Sequence, residues 1–373
     1  MVGRRQVVVG LGGLLVAGAA AGTWRVTRLP ETAQRPWLNL DQPVADPRLD
    51  AFRHAILAPN PHNRQPWLIR LEGSDAALLT CDLDKRLPQT DPFDRQVTIG
   101  FGTFIELAAI AASKRSFRIT VEPFPDGDPQ PRLDQRPIAR LRFVADPALA
   151  PDPLASAIAQ RRTNRQVYGA LPAELLERIG GEGMQTSADP ALLAHVSALS
   201  VAAITREMET QAAYMESVQL MRIGHREVDL SPDGLSLTGP LIEATALLGL
   251  TNRETLADPA STSFRLGLKD MQNIYGSIPA VVWLVTSDNS RPAQIDAGRR
   301  YARTCLRAAA VGAAMHPMSQ ALQEYPAMAD LFAKARTLLG VQGGQTVQML
   351  ARVGMADPVM PSARYPLEAH LRP

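Results

Sequence analysis

The stretch Ala58–Trp67, "APNPHNRQPW", combines turn-forming prolines with side chains suited to a flat, polar-edged ligand. Asn60 and Asn63 are typical turn residues, because short amide side chains bond their own backbone. Turn chemistry does not account for Gln65 and Trp67, which stand where the chain enters the strand-like run "WLIRLEG". The row of amide donors and acceptors beside an aromatic residue therefore indicates a stiff loop that meets a flat, polar-edged ligand.

Composition bounds the classes of function that the chain can have. It contains 373 residues, 46% apolar and 20% charged, which is typical of a globular protein with room for two domains. The net charge is +2 without a basic block, so nucleic-acid binding has no support. Two cysteines, Cys81 and Cys305, exclude a disulfide scaffold and are expected to be buried thiols. The six histidines are scattered, and no metal site is predicted.

The N-terminus, "MVGRRQVVVGLGGLLVAGAAAGTWR", pairs Arg4 and Arg5 ahead of an uncharged run from Gln6 to Trp24. This pattern is typical of a twin-arginine export signal. The run is also long enough for a single membrane anchor, and the sequence leaves the choice open. We therefore expect residues 1–30 to be a signal or anchor. The twin-arginine translocase is the expected partner, and the body is expected to be periplasmic or otherwise extracytoplasmic. Because this route exports folded proteins, a bound cofactor is expected.

Hydrophobic periodicity predicts an α+β chain with two halves, residues 45–148 and 152–373, separated by "ADPALAPDP". Each half combines helices with strands. The two halves have a similar layout, although no repeat can be read residue by residue. Residues 225–240 lack periodicity and are predicted to form a long loop that could serve as a lid.

Arginines mark two candidate anion sites in the second half. Arg161, Arg162 and Arg165 stand with Thr163 in "RRTNR", and forked guanidiniums match phosphate oxygens. A solvated basic helix end explains the same residues. Arg364, in "PSARYPLEAH", reads as an ordinary surface arginine when taken alone.

A small-residue helix in "AAVGAAMHPMSQAL" is predicted to stop at His316-Pro317. Such an end leaves backbone N–H groups unpaired, so the chain around Met318 and Ser319 is a candidate for close approach to a ligand. His316 itself reads as a helix-terminal residue.

In this order, the "APNPHNRQPW", "RRTNRQVYG", "AAMHPMSQAL" and "SARYPLE" segments resemble the nitroreductase-like FMN-binding flavoproteins. More narrowly, they resemble the fused, Acg-type branch, in which one chain carries two nitroreductase-like halves. The resemblance covers about residues 50–368. It implies a nitroreductase-like fold in which the two halves form an intrachain pseudo-dimer. Ordinary members are homodimers that bind two FMN molecules at the subunit interface.

The distribution of the motifs then implies one complete FMN site per chain, because the loop motif occurs only in the first half and the arginine motif only in the second. The implied contacts are Arg161, Thr163, Arg165 and Arg364 with the phosphate and ribityl end, Pro59, Asn60, Pro61 and Asn63 with the ring, and the backbone of Pro317, Met318 and Ser319 near N5. One departure is that Asn60-Pro61 replaces the two small hydroxyl residues usual in the family.

The resemblance implies an FMN-dependent oxidoreductase that passes hydride through flavin N5 to a flat acceptor such as a nitroaromatic or a quinone. Because the flavin carries the chemistry, no catalytic side chain is predicted. NAD(P)H is the implied donor where it is accessible. Two alternatives stay open: an exported FMN-storage protein with little turnover, and a structural or interaction protein that has lost flavin binding.

Overall fold

The computed structural model describes residues 27–373 and has an α+β architecture. The predicted twin-arginine signal and the uncharged run that follows it lie outside the described residues. The helices are α1 (Glu31–Leu38), α2 (Pro47–Ala55), α3 (Arg95–Ser113), α4 (Ala173–Ile179), α5 (Pro190–Glu209), α6 (Gln211–Leu220), α7 (Gly224–Leu230), α8 (Pro240–Leu247), α9 (Arg253–Ala257), α10 (Thr262–Gly276), α11 (Arg291–Ala310) and α12 (Ala329–Leu338).

Two main sheets divide the strands. The strands are β1 (Trp67–Glu72), β2 (Ala76–Cys81), β3 (Phe117–Pro123), β4 (Ala139–Ala145), β5 (Met184–Ser187), β6 (Met221–Ile223), β7 (Leu235–Leu237), β8 (Ala280–Thr286), β9 (Ala314–Pro317), β10 (Thr346–Gly354) and β11 (Leu371–Arg372). The first sheet has the order β11-β1-β2-β4-β3, and the second has the order β5-β8-β10-β9. Strands β6 and β7 form a small parallel pair. The predicted α+β class is confirmed.

The C-terminal end crosses back to the first half. Strand β11 pairs in parallel with β1, with Ile69 opposite Leu371. The last residues of the predicted second half, 152–373, therefore complete the sheet of the first half. Sequence periodicity could not reveal this, because a two-residue strand has no period. The crossing brings residues 362–365 next to the loop that precedes β1.

Helices α3 and α11 form the centre of the molecule and pack against each other at two glycines. A Cβ added at Gly102 would lie 2.1 Å from the carbonyl oxygen of Ile295 and 2.8 Å from the Cα of Gly298. A Cβ added at Gly298 would lie 2.0 Å from the carbonyl oxygen of Ile99. Only glycine permits backbones to approach this closely. The two contacts are reciprocal, as expected where two similar halves are related by a pseudo-twofold axis.

The first residues of these helices exchange contacts in the same reciprocal way. Arg95 donates to the carbonyl oxygens of Leu322 and Gln348 in the second half. Arg291 donates to the carbonyl oxygens of Phe93 and Pro129 in the first half, at 2.8 and 3.1 Å. Both guanidiniums are 1% exposed. Each half therefore anchors an arginine of the other.

A short repeat underlies this symmetry. Arg95, Ile99 and Gly102 correspond to Arg291, Ile295 and Gly298, and 291 − 95, 295 − 99 and 298 − 102 give the same offset of 196 residues. The prediction that no repeat can be read was therefore wrong at the helix interface. Elsewhere the two halves have diverged, and the first sheet contains five strands against four in the second.

Two described helices, α3 and α5, are long and apolar enough to cross a membrane by length and composition alone. Buried core helices pass the same test. Nearly all of α3 is buried within the molecule, which accounts for its apolar composition.

Candidate functional site

The loop predicted to face a ligand is held in a strained conformation. His62, Asn63 and Gln65 have φ angles of 47°, 52° and 52°, which is the left-handed region that side chains rarely adopt. Strain of this kind persists only where surrounding contacts impose it, and it is common at functional sites. Gln65 supplies such contacts by donating to the carbonyl of Pro232 at 2.7 Å and accepting from the backbone N–H of Tyr365 at 3.0 Å.

The start of α3 positions this loop. Thr103 donates its hydroxyl to the carbonyl of Pro59 at 2.6 Å, and Gly100 lies beneath Asn60 and Pro61. Asn60 closes the loop on itself, since its side chain donates to Ala58 O and accepts from the backbone N–H of Gln65. The loop thus lies at the half-to-half junction that α3 forms.

Arg364 lies under the loop and anchors it. It is 2% exposed, and its guanidinium donates to the carbonyls of Ile56, Leu57, Ala58 and Ala363 and to the side chains of Asn63 and Ser362. Asn63 also donates to Ala363 O at 2.9 Å. Both residues use their polar groups within the protein here, so their predicted bonds to phosphate and ring stay predictions.

Arg161 lies beside Arg364 at the same loop. It is 3% exposed and donates to the carbonyl of Leu57 at 3.2 Å, and its Nη1 lies 3.5 Å from the hydroxyl of Thr163. Its Nε is buried and has no hydrogen-bond partner among the described residues. A buried donor without a partner is costly, and it points to a ligand atom that completes the site.

The indole of Trp37 joins Arg161, Arg162 and Arg364 into a cluster, which we call the arginine cluster. The guanidinium carbons lie 5.9, 4.5 and 5.5 Å from the ring centroid, respectively. Within residues 27–373, no carboxylate forms an ion pair with any of the three. Three like charges with no anion nearby are unusual, because buried cations are normally paired.

The pKa values of the three arginines reflect the same lack of a nearby negative charge. Burial lowers the pKa of Arg161, and burial together with the charge of Arg161 lowers the pKa of Arg162 to about 10. Burial and then the charges of its two neighbours lower the pKa of Arg364 well below its usual value. An anion bound here would relieve this repulsion, and a phosphate matches the forked donors.

A second polar region extends from Arg165 along the other side of the loop. Arg165 is exposed, and its charge acts on His62 and His316. Burial, then Arg165 and Arg64, lower the pKa of His62 to about 4, and burial with Arg165 and Arg352 lowers that of His316. Both imidazoles are therefore neutral near pH 7, and His62 hydrogen-bonds the hydroxyl of Ser217 at 3.0 Å.

The chain around Pro317 differs from the prediction. Helix α11 ends at Ala310, and His316 and Pro317 lie in strand β9, paired with β10. The predicted helix end at His316-Pro317 is therefore wrong. Gly312, with φ 73°, turns the chain out of the helix before the small-residue run is complete. Met318 donates its N–H to Leu350 O, so that N–H is not free.

The segment 225–240 is also different from its prediction, since it contains α7 and β7 instead of a long loop. The carboxylate of Asp233, 1% exposed, binds Arg64, Lys85 and Arg222 at 2.8, 2.6 and 2.6 Å. These pairs and the Gln65–Pro232 bond join the segment to the candidate site. Arg64, which the sequence places in the loop motif, is a buried partner in this ion-pair group.

The pseudo-twofold axis that relates α3 to α11 also relates the position of the 58–67 loop to a groove of about 480 Å³. By the offset of 196, Gly100 and Thr103 correspond to Asp296 and Arg299, which line that groove. Glu106 binds Arg299 and Arg303 there at 2.8 and 2.9 Å. Ion pairs thus occupy the place where a second loop would pack.

Other chemistry has little support in the described part of the chain. No group of three or more histidine, cysteine, aspartate or glutamate side chains there is arranged to hold a metal. Cys81 and Cys305 are buried free thiols, as predicted, and burial raises the pKa of both.

Comparison with known proteins gives a family-level likeness. No protein-family model matches the chain. It is 27% identical over 350 residues to "Putative NAD(P)H nitroreductase" sequences from two strains of Mycobacterium tuberculosis, covering 88% of this chain and 91% of theirs. A 31% identity to an Escherichia coli molybdopterin-synthase adenylyltransferase spans 139 residues, or 34% of this chain and 56% of that protein.

Among solved structures, the FMN and NADPH-dependent nitroreductase NfnB from Sphigopyxis sp. strain HMH is 20% identical with a TM-score of 0.35. That match covers 58% of this chain and 96% of the other, and at this score it carries no argument. The predicted likeness to nitroreductases is confirmed by the sequence comparison at the level of the superfamily. The narrower fused branch stays a prediction.

Sequence reasoning missed Trp37, which lies in the proline-rich stretch ahead of the predicted first half. Its signal would have been an aromatic residue in a segment rich in turn formers, which is too weak to choose without the fold. Arg162 was part of the quoted motif but was not selected.

Proposed function

We propose that the chain binds one FMN between its two halves and transfers hydride from NAD(P)H to a flat acceptor such as a nitroaromatic or a quinone. The observation that carries this proposal is the arginine cluster beside the strained loop, with a buried guanidinium nitrogen and no carboxylate partner. The similarity to mycobacterial nitroreductases over 88% of the chain supports the same reaction class.

The residues present are compatible with FMN. Arg161 and Arg162 would hold the phosphate, and Arg364 would keep the loop in place beneath it, while Pro59 to Asn63 would line the ring. Bound flavin would supply the hydride chemistry. The neutral imidazoles of His62 and His316 would leave Arg165 as the positive group beside the ring-side region, suited to a carboxylate or nitro group.

Export and storage are further parts of the proposal. The paired Arg4-Arg5 supports export by the twin-arginine translocase into the periplasm, with residues 6–24 as a cleaved signal or membrane anchor. A storage role is favoured by the segment 231–234, which bonds to the loop at Asn63 and Gln65 and so restricts the ring side. Membership of the fused branch, with a degenerate second site, predicts one FMN per chain.

The visible spectrum of the purified protein tests the proposed reaction. A yellow protein that bleaches with NADPH under anaerobic conditions, and recovers its colour with a nitroaromatic or quinone, is the expected result. A yellow protein that stays yellow with NADPH would favour storage or another donor. A colourless protein that fails to bind added FMN would refute flavin binding.

Replacing Arg161 with Met should weaken FMN binding by about 1.5–3 kcal/mol, roughly tenfold to a hundredfold in Kd, because a charge-assisted bond is lost. Equilibrium titration followed by flavin fluorescence measures this. Unfolding of the FMN-free protein should change little, since the replacement also removes one of three repelling charges. Arg118→Met is the control, because Arg118 is exposed and pairs with Asp146. Equal Kd values for the wild type and Arg161→Met would remove Arg161 from the site.

A further inference from the structure

Helix α1 places one aromatic side chain, Trp37, against the arginine cluster. Trp37 is 6% exposed, and its indole Nε1 donates to the carbonyl of Ser362 at 2.8 Å. The next residue, Leu38, is 75% exposed, so α1 presents one face to the cluster and another to solvent. Nothing in the motifs of the chain assigned this helix a role.

Ala33 makes three further contacts that attach α1 to the rest of the protein. The N–H of Ala33 donates to the carboxylate of Asp229 at 2.9 Å. The N–H of Arg364 donates to the carbonyl of Ala33 at 2.9 Å. Ala33 also packs with Val228 and Ala363 in a small apolar cluster. Because α1 belongs to neither sheet, it can open without breaking strand pairing, although Trp37 must then leave the main apolar core.

The position of Trp37 over the cluster has a consequence for any anion held there. Its electron-rich ring face stabilises cations that lack a carboxylate. The same ring covers the guanidiniums, and Arg161 keeps a buried donor with no partner in the described chain. A phosphate that completes this donor would therefore lie behind Trp37, shielded from solvent.

We propose that α1 is a strap over the phosphate end of the cofactor site and that Trp37 is the side chain that holds it closed. This inference rests on the proposed binding of FMN. Opening of the strap controls both entry and exit of the cofactor. Trp37 is thus a positioning residue for cofactor retention, and Asp229 is its tether on α7.

The rate of FMN release tests the strap. The protein is loaded with FMN and diluted, and the rising fluorescence of the freed flavin is followed. We expect Trp37→Leu to release FMN at least about tenfold faster than the wild type, since a desolvated ring–cation contact is lost. Because entry also becomes faster, Kd should change by a smaller factor than the release rate. Trp37→Phe, which keeps an aromatic face, should recover most of the retention.

Two further variants separate a strap from a general loss of structure. Asp229→Asn weakens the tether without touching the cluster and should also speed release. Leu38→Ala changes the solvent face of the same helix and should release FMN at the wild-type rate. Circular dichroism checks that each variant is folded.

Each remaining outcome decides between the two proposals. If the wild type retains FMN and Trp37→Leu releases it at the same rate, the strap is refuted while FMN binding stands. If release and Kd rise by the same factor with an unchanged association rate, Trp37 is a simple contact and the strap is refuted. If the wild type binds no FMN, the proposed function fails and the strap's role fails with it.

Discussion

Gly102→Ala is expected to lower the free energy of unfolding by about 3 kcal/mol, because a methyl group would be forced against backbone atoms. The added Cβ would lie 2.1 Å from the carbonyl oxygen of Ile295, a distance that backbone adjustment must relieve. In most helices the same substitution is favourable by up to about 1 kcal/mol. The contact between α3 and α11 therefore decides that Gly102→Ala destabilises the protein instead of stabilising it. Urea unfolding, monitored by circular dichroism, measures it.

Gly267→Ala is the matched control. Gly267 also lies inside a helix, α10, but a Cβ added there meets no atom within 4 Å. Gly267→Ala should leave the free energy of unfolding unchanged or raise it slightly. Gly298→Ala should resemble Gly102→Ala, and the double variant should be non-additive because the two glycines touch. A loss below about 1 kcal/mol for Gly102→Ala would contradict the close helix contact.

The same substitution should disturb the candidate site. The loop at residues 58–63 packs on Gly100 and Thr103, which flank the tight contact at Gly102 within the same turn of α3. A shift of α3 against α11 would move this loop relative to Arg161, which belongs to the second half. We therefore expect weaker FMN retention in Gly102→Ala, and not in Gly267→Ala.

Strong local patterns in the sequence were enough to predict much of the fold. In strands β1 and β2, joined by a Gly-Ser-Asp turn, and in the long helices α3 and α11, the hydrophobic period and the flanking breakers agree with the observed structure. Strand β9 was missed because its residues favour a helix by propensity. Pairing with β10 decides its conformation instead, and such pairing is invisible to local reasoning.

Long-range contacts explain the errors in the site. Segment 225–240 has no local pattern because distant contacts order it. The carboxylate of Asp233, within the segment, binds Arg64 and Lys85, which are far away in sequence. The sequence shows Arg161 and Arg162 as an unusual local cluster of cations, but it does not show that Trp37 packs over them. Trp37 meets Arg364 only because the C-terminal segment returns to the first sheet.

The second large effect is expected at Asp233. Asp233→Asn should lower the free energy of unfolding by about 3–5 kcal/mol at pH 7, since it leaves Arg64, Lys85 and Arg222 around a neutral amide. Removing one partner of a buried ion pair costs more than the pair contributes, because the remaining charges stay desolvated. Asp134→Asn, in an exposed pair with Arg136, is the control and should have little effect.

The pH dependence follows from the direction of the pKa shift. Burial alone would raise the pKa of Asp233, but the hydrogen bond and charge of Lys85, together with the hydrogen bonds of Arg222 and Ser231, bring the pKa below its usual value. A carboxyl group with a lowered pKa stabilises the folded state above its unfolded pKa and loses that contribution as pH falls through the folded value. The difference between wild type and Asp233→Asn should therefore be the same at pH 7 and pH 5 and shrink below about pH 4.

Asp233 also links stability to the candidate site, because its partner Arg64 belongs to the strained loop. Loss of the carboxylate should free the segment 231–237 from residues 63–65 and raise the rate of FMN release. Hydrogen exchange of Gly234, whose N–H donates to Asn63 O, measures the loosening directly. If Asp233→Asn destabilised the protein while Gly234 kept its protection, the segment would be held to the loop by its backbone contacts, and the ion pairs would stabilise the core alone.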